Sequence, residues 1–332
     1  MLAAFRVLAT RCLKPRNGEE LMKLLPQQRS VVGVQDAKSA FNLTRLGPIV
    51  SDLRLSALLR YEERERAPPS PGFETIDEMR IETGKRIRSL RNYATICDRI
   101  PRASDAAAAR ALADAMTAST PTSSLPNLAI PYFMRRVRNG YGSHLIAAIH
   151  RLAPGTPVHV CTVIVASWAR TPSQLTCTQR DDLLSTLRAR LNEAGLSQLS
   201  GWCVLGLHGE FRRASGFELH FHGVVVGDKW LAFQALRDLP MFKGGNSKPI
   251  RVPVRIAALE NPARQLSYLL QGFWPTKYRG EEPGTDEGLR RRRRRIPEPH
   301  HAQHLLWLSR QRLSDLMWLH GIAIRNGRLE PV

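Results

Sequence analysis

The sequence predicts an α+β fold: an antiparallel-rich central sheet with helices packed on it, preceded by a mainly helical N-terminal region. Three observations carry this. The chain has 332 residues, and at about 150 residues per domain that is room for two units. Hydrophobic residues make up 43% of it, which supplies a core and excludes wholesale disorder. From Pro157 onward, β-branched runs and helically spaced leucines follow one another in the order β-α-β-β-α-β-α, the pattern of a sheet with helices on one face.

The elements follow in order. Residues 1–66 show no clear hydrophobic period, and Pro68, Pro69 and Pro71 then break the chain. A helix is expected over 76–95. Ser104 is a suitable N-cap for a second, alanine-rich helix over 105–116. Thr120 to Asn127 reads as a linker. The region 1–150 is thus expected to be mainly helical and loosely ordered. Val158 to Ala166 is β-branched and apolar, a buried strand. Leu183, Leu184, Leu187 and Leu191 have helical spacing, and Gly195 ends that helix. Trp202 to Phe211 and Phe217 to Val226 are strands joined by the polar turn 212–216, hence an antiparallel hairpin. A helix is expected over 228–239. A strand over 250–258 carries Pro253, which suits an edge, and Asn261-Pro262 opens a helix reaching about Phe273. Residues 151–280 form the sheet-bearing domain. Residues 281–332 hold six consecutive arginines, Arg290 to Arg295, and an amphipathic helix over 301–320.

Composition narrows the function classes. The longest apolar stretch, 158–169, falls short of the roughly 20 residues a membrane-spanning helix needs. The five cysteines (Cys12, Cys97, Cys161, Cys177 and Cys203) are odd in number and form no CxxC pair. Neither a disulfide framework nor a structural zinc site is supported, and a reducing compartment fits. The start, 1–15, is basic and free of acids, but Arg6 and Arg11 interrupt any apolar leader. Lys plus Arg is 49 against 29 for Asp plus Glu, a formal charge of +20. Such a surplus speaks for a phosphate-bearing partner, because basic side chains release the counterions condensed on nucleic acid.

The hairpin holds the residues that can do chemistry. His220 and His222 are two apart and share one face of their strand, as do His208 and Glu210 on the strand before. A turn centred near residue 214 pairs residues whose numbers sum to about 428, so 208 lies opposite 220. His208, Glu210, His220 and His222 can then converge, and two imidazoles with a carboxylate form a reasonable set of ligands for a divalent ion. With 10 histidines, chance alone supplies about 0.3 His-x-His pairs. Sheet histidines that face solvent or hydrogen-bond in the core are therefore the plainer reading of that spacing, and Glu210 with the apolar setting of Leu219, Phe221, Val224, Val225 and Val226 narrows its advantage.

The run Phe217-Glu-Leu-His220-Phe-His222-Gly-Val-Val resembles the His–hydrophobic–His motif of the HUH endonucleases, which include rolling-circle replication initiators, relaxases and single-strand transposases. Val158 to Ala166 resembles loosely the apolar strand that precedes that motif. Ala263-Arg-Gln-Leu-Ser-Tyr268-Leu-Leu-Gln-Gly272 resembles the helix that follows it, with Tyr268 in the nucleophile's place 46 residues after His222. The resemblance covers about 157–275. It departs at Gln271 and Gly272, where the family usually has a lysine; Lys277 lies further on.

The resemblance implies metal-dependent nicking and joining of single-stranded DNA through a 5′-phosphotyrosine. Mg²⁺ or Mn²⁺ would be held by His220, His222 and Glu210, with His208 added by the hairpin register, and Tyr268 would be the nucleophile. It also implies a replication origin with a hairpin as substrate, in the bacterial cytoplasm, with host helicase and polymerase as further partners. No GxxxxGK[ST] phosphate loop is present. DNA contacts are expected from Lys277, from the aromatics Trp274 and Tyr278, and from Arg290, Arg291, Arg292, Arg293, Arg294 and Arg295. A transposase or relaxase of the same superfamily is the first alternative. A non-catalytic basic nucleic-acid-binding protein is the second.

Overall fold

A computed structural model describes residues 74–99, 103–213, 215–244, 250, 252–266, 269, 274–276, 294–325 and 328–332. Three helices come first: α1 (Ile76–Asp98), α2 (Ala103–Thr117) and α3 (Pro131–His150). Thr75 caps α1 and Glu78 returns the bond to the Thr75 backbone, so the break after the proline cluster is also a start signal. All three helices place apolar residues in the same core as the sheet, including Leu90, Leu112, Met116, Phe133 and Leu145. The described part of 1–150 is therefore packed structure rather than a loose leader.

Strand β1 (Val158–Arg170) is followed by the short α4 (Pro172–Leu175) and by α5 (Arg180–Glu193). Then comes the hairpin of β2 (Trp202–Arg212) and β3 (Gly216–Val226). Its ladder runs unbroken from Trp202↔Val226 to Arg212↔Gly216 and sets His208 opposite His220. Gly216 has φ 78°, and a β-carbon there would collide with the Arg170 carbonyl oxygen. Glycine thus serves both the tight turn and the close approach of β1.

The expected 228–239 helix is instead a 3₁₀ turn (Gly227–Lys229), a short α6 (Trp230–Ala235) and a second 3₁₀ turn (Leu236–Asp238). Strand β4 (Val254–Ala258) and helix α7 (Pro262–Leu266) follow. Among the described residues the main sheet has seven strands, in the order β4-β1-β3-β2-β5-β6, with β7 on the far side of β2. Here β5 is Pro275–Thr276, β6 is Arg294–Arg295 and β7 is Met317–His320. The architecture is α+β with an antiparallel-rich sheet, and among the described residues only the β2–β5 contact is parallel.

Two expectations for this part of the chain are corrected. Strand β1 is not buried on both sides. Cys161, Val163 and Val165 face the core, whereas Val160, Thr162 and Ile164 are half-exposed. The C-terminal segment is not one helix: α8 (His300–Leu308) and the single turn α9 (Leu313–Leu316) lead into β7. Residues 203–206 of β2 present backbone donors and acceptors at the sheet margin, and Met317 to His320 pair with them. That edge outweighs the helical pattern of the sequence. A small hairpin, β8 (Ile322–Arg325) and β9 (Arg328–Pro331), closes the chain. No helix among the described residues is long and apolar enough to cross a membrane.

Candidate metal centre

Opposed residues of an antiparallel ladder project to the same side. The registers therefore sort the sheet into two faces. Leu205, Leu207, Leu219, Phe221, Val225, Cys161 and Val163 point one way and are buried. His208, His220, His222, Thr162 and Ile164 point the other way, onto a face where β1 is half-open. The histidines thus lie on the floor of an accessible face and not in the helix-covered core.

Three ring nitrogens meet there. His208 Nδ1 lies 3.0 Å from His220 Nε2, which lies 3.0 Å from His222 Nε2. The three donor atoms are all within 4.8 Å of one another. His220 Nδ1 is 3.1 Å from the Glu218 carbonyl. A carbonyl only accepts, so this nitrogen carries the proton and a neutral His220 presents a lone pair at Nε2. One lone pair accepts one N–H, yet two other imidazole nitrogens stand 3.0 Å from it. A divalent cation drawing a lone pair from each ring satisfies all three. His208, His220 and His222 would hold such an ion, and imidazole donors would suit a transition ion acting as a Lewis acid. His208 and His220 are buried and His222 is half-buried, so one side of the cluster stays open.

Thr162 supports the cluster. Its hydroxyl is 2.8 Å from His222 Nδ1 and accepts that N–H when Nε2 serves as ligand. Such outer partners fix ring orientation and ligand basicity. Thr162→Val is expected to weaken Mn²⁺ binding by about tenfold and to leave the fold intact, as read by titration calorimetry alongside a thermal melt. Equal affinity in the variant would show that the hydroxyl does not tune the site.

Of the four ligands expected, the three histidines form this group and Glu210 is not one of them. Glu210 sits opposite Glu218, two ladder pairs further toward the turn than His208–His220. The His220/His222 pair faces His208 and Gly206 across the strand. Gly206 has no side chain to offer, so the nearest donor is His208. Glu218 is held by Arg212 at 2.7 Å and by the Ser215 hydroxyl at 3.1 Å.

Trp274 is in the core, 3% exposed, and does not offer a face for base stacking. Its ring lies against His304 and Trp307, with centroids at 4.4 and 5.2 Å, and 5.9 Å from His208. A β-carbon on Gly209 would come within 2.5 Å of that ring. Trp274 therefore packs on the helix-covered side of the sheet, and Gly209, which shares that side with Leu219, makes room for it. Burial drives the adjacent His304 well below the usual imidazole range, aided by the charges of His301 and Arg86, so it packs as a neutral ring.

Arg295, the last of the arginine run, is engaged within the fold. It makes an ion pair with Glu82 of α1 and donates to His301 Nε2 at 3.2 Å. Backbone pairing of Arg294 and Arg295 with Pro275 and Thr276 brings it there. Tyr268, Lys277, Tyr278 and Arg290 to Arg293 lie outside the described residues, as does the side chain of Arg294. Thr162 was missed by sequence reasoning, although it is the one hydroxyl inside the apolar run of β1. Only the non-local register of β1 on β3 gives it meaning.

No protein-family model, curated protein or solved structure matches this chain.

Proposed function

We propose that the protein nicks and rejoins single-stranded DNA in the manner of the HUH endonucleases, using the three histidines as its metal site and Tyr268 as its nucleophile. The observation that carries this reading is the convergence of His208, His220 and His222 on a half-open face of the sheet. The His pair lies on β3, flanked on both sides by other strands, as the resemblance requires of a central strand. The +20 charge suits a polyanionic substrate.

The residues divide the work as follows. His208, His220 and His222 would hold the ion, with Thr162 orienting His222. Imidazole donors suit transition ions better than Mg²⁺, which prefers oxygen, so Mn²⁺ is the better of the two ions expected. A bound divalent ion supplies Lewis acidity at a phosphoryl oxygen. The Tyr268 phenolate oxygen would attack phosphorus, forming a Tyr–O–P bond while the bond from phosphorus to the 3′-oxygen breaks. The released oxygen takes a proton and becomes a free 3′-OH. The reverse step rejoins the strand, because the phosphotyrosine conserves the diester's energy. A phenol of pKa about 10 is mostly protonated at neutral pH, so the attack needs local positive charge to favour the phenolate.

The deciding experiment uses the full chain, labelled hairpin-bearing single strands drawn from a library, and Mn²⁺. A covalent protein–DNA adduct on a denaturing gel is expected, lost in Tyr268→Phe while DNA binding persists. A wild-type chain that yields no adduct with any strand of the library overturns the nickase reading.

A further inference from the structure

The three histidines explain how an ion is held but not how a strand is laid across it. Across the sheet, one row of the ladder runs from the cluster to an open edge. His222 is opposite Thr162, and Thr162 is opposite Arg255 of β4. All three side chains therefore rise from the same face. Among the described residues strand β4 is the edge of the sheet, and Arg255 is exposed. Its guanidinium has no ion-pair or hydrogen-bond partner among the described residues.

That sets it apart from the arginines that build the fold. Arg86 is tied to Glu82 and the Ala129 carbonyl, Arg138 to Glu74, Arg212 to Glu218, and Arg295 to Glu82. Other exposed arginines exist among the described residues, such as Arg237, but among those residues none shares a ladder row with the cluster. Ala257, the next residue on the same face of β4, is only a methyl group and lies opposite Val160. Nothing tall on that strand stands between the guanidinium and the row. Two strand spacings, about 10 Å, separate the backbones of His222 and Arg255. This is too far for Arg255 to share the ion's ligand sphere. A long side chain leaning inward reaches the next group along a bound chain.

We propose that Arg255 is a phosphate anchor: it binds the backbone phosphate adjacent to the one held at the histidines and so fixes the path of a single strand over the row Arg255–Thr162–His222. A guanidinium suits this task because its planar fork matches phosphate oxygens and its charge is permanent. Arg255 is a positioning residue, since it acts on a group beside the reacting one. The proposal rests on the nucleic-acid reading of the site but not on cleavage.

The test measures binding of the full chain to a labelled single-stranded oligonucleotide across a salt series, with Mn²⁺ present. Arg255→Gln is expected to weaken binding about tenfold and to flatten the slope of log K against log salt by about 0.7, the share of one phosphate contact on a single strand. Arg255→Lys, which keeps the charge, is expected to restore the slope. Arg237→Gln, in a 3₁₀ turn outside the ladder, is expected to change neither. A methylphosphonate scan adds a positional readout: one neutralised phosphate weakens the wild type but not Arg255→Gln. Mn²⁺ affinity stays at the wild-type value in every variant.

Unchanged affinity and slope in Arg255→Gln overturn the anchor, and so does an equal loss of Mn²⁺ binding, which would mark a structural role. The two readings fail separately. Arg255-dependent binding without any covalent adduct removes the nickase and keeps the anchor. An adduct formed by Arg255→Gln with unchanged half-saturating DNA concentration removes the anchor and keeps the nickase.

Discussion

His220→Ala is expected to lower Mn²⁺ affinity by more than about a hundredfold, beyond the 10–100-fold range of outer-partner losses. His220 Nε2 is the atom that both other ring nitrogens approach at 3.0 Å, so its removal dismantles the cluster and not merely one contact. Linkage gives a second readout. An ion that binds only the folded state stabilises it by RT ln(1 + [ion]/Kd), about 2.7 kcal/mol at a hundred times Kd. The wild-type melting temperature should therefore rise with Mn²⁺ and fall back on chelation. The melting temperature of His220→Ala should not respond to either. Without the ion the sign can reverse, because the wild type then keeps three imidazole nitrogens crowded round one lone pair. A variant that still binds Mn²⁺ with wild-type affinity would remove the metal centre and the proposed chemistry with it.

Glu82→Gln is expected to produce the largest loss of stability away from the site. Burial by itself would raise the Glu82 carboxyl. The Arg86 charge beside it, together with the hydrogen bond and charge of Arg295, outweighs burial and brings it down to about 2. A carboxyl depressed in the folded state contributes stability above its unfolded value and loses it as pH falls toward the folded one. From the ordinary value of 4.5 to about 2, that contribution is of the order of 3 kcal/mol, and it fades across this window. The variant should lose it at neutral pH, because the carboxylate shared by both guanidiniums is gone. Urea melts at pH 6 and pH 3 check this. The wild type should weaken more than Glu82→Gln between the two. Equal pH dependence would show that the pair contributes nothing net. The contact matters to the architecture because it fastens the end of the arginine run, through Arg295, to the first described helix.

Much of the hairpin was legible before any coordinates. A short turn fixes the register of its two strands, so simple addition set 208 opposite 220, and the ladder agrees. The same arithmetic put Glu210 on the right face but in the wrong company. Which residue completes the His pair depends on what stands across from His222, and that is Gly206. The sequence held this fact, but it counts only once three donors are required to meet at a point. The helical pattern of 301–320 misled for a different reason. Local periodicity knows nothing of the unpaired margin of β2, and four residues of that run became a strand upon it.

The sequence by itself determined the class of the fold, the hairpin and the face on which its histidines gather. These depend on alternation, turn length and spacing, all of which are local. Only the tertiary structure decided that Thr162 backs His222, that Arg255 shares their row, and that Arg295 turns inward to Glu82. Each of these pairs residues separated by long stretches of chain, and no local pattern specifies a register across such a distance. The packing of the whole core selects it, since a slip of one residue along β1 would send Cys161 and Val163 to the open face and Thr162 into the core.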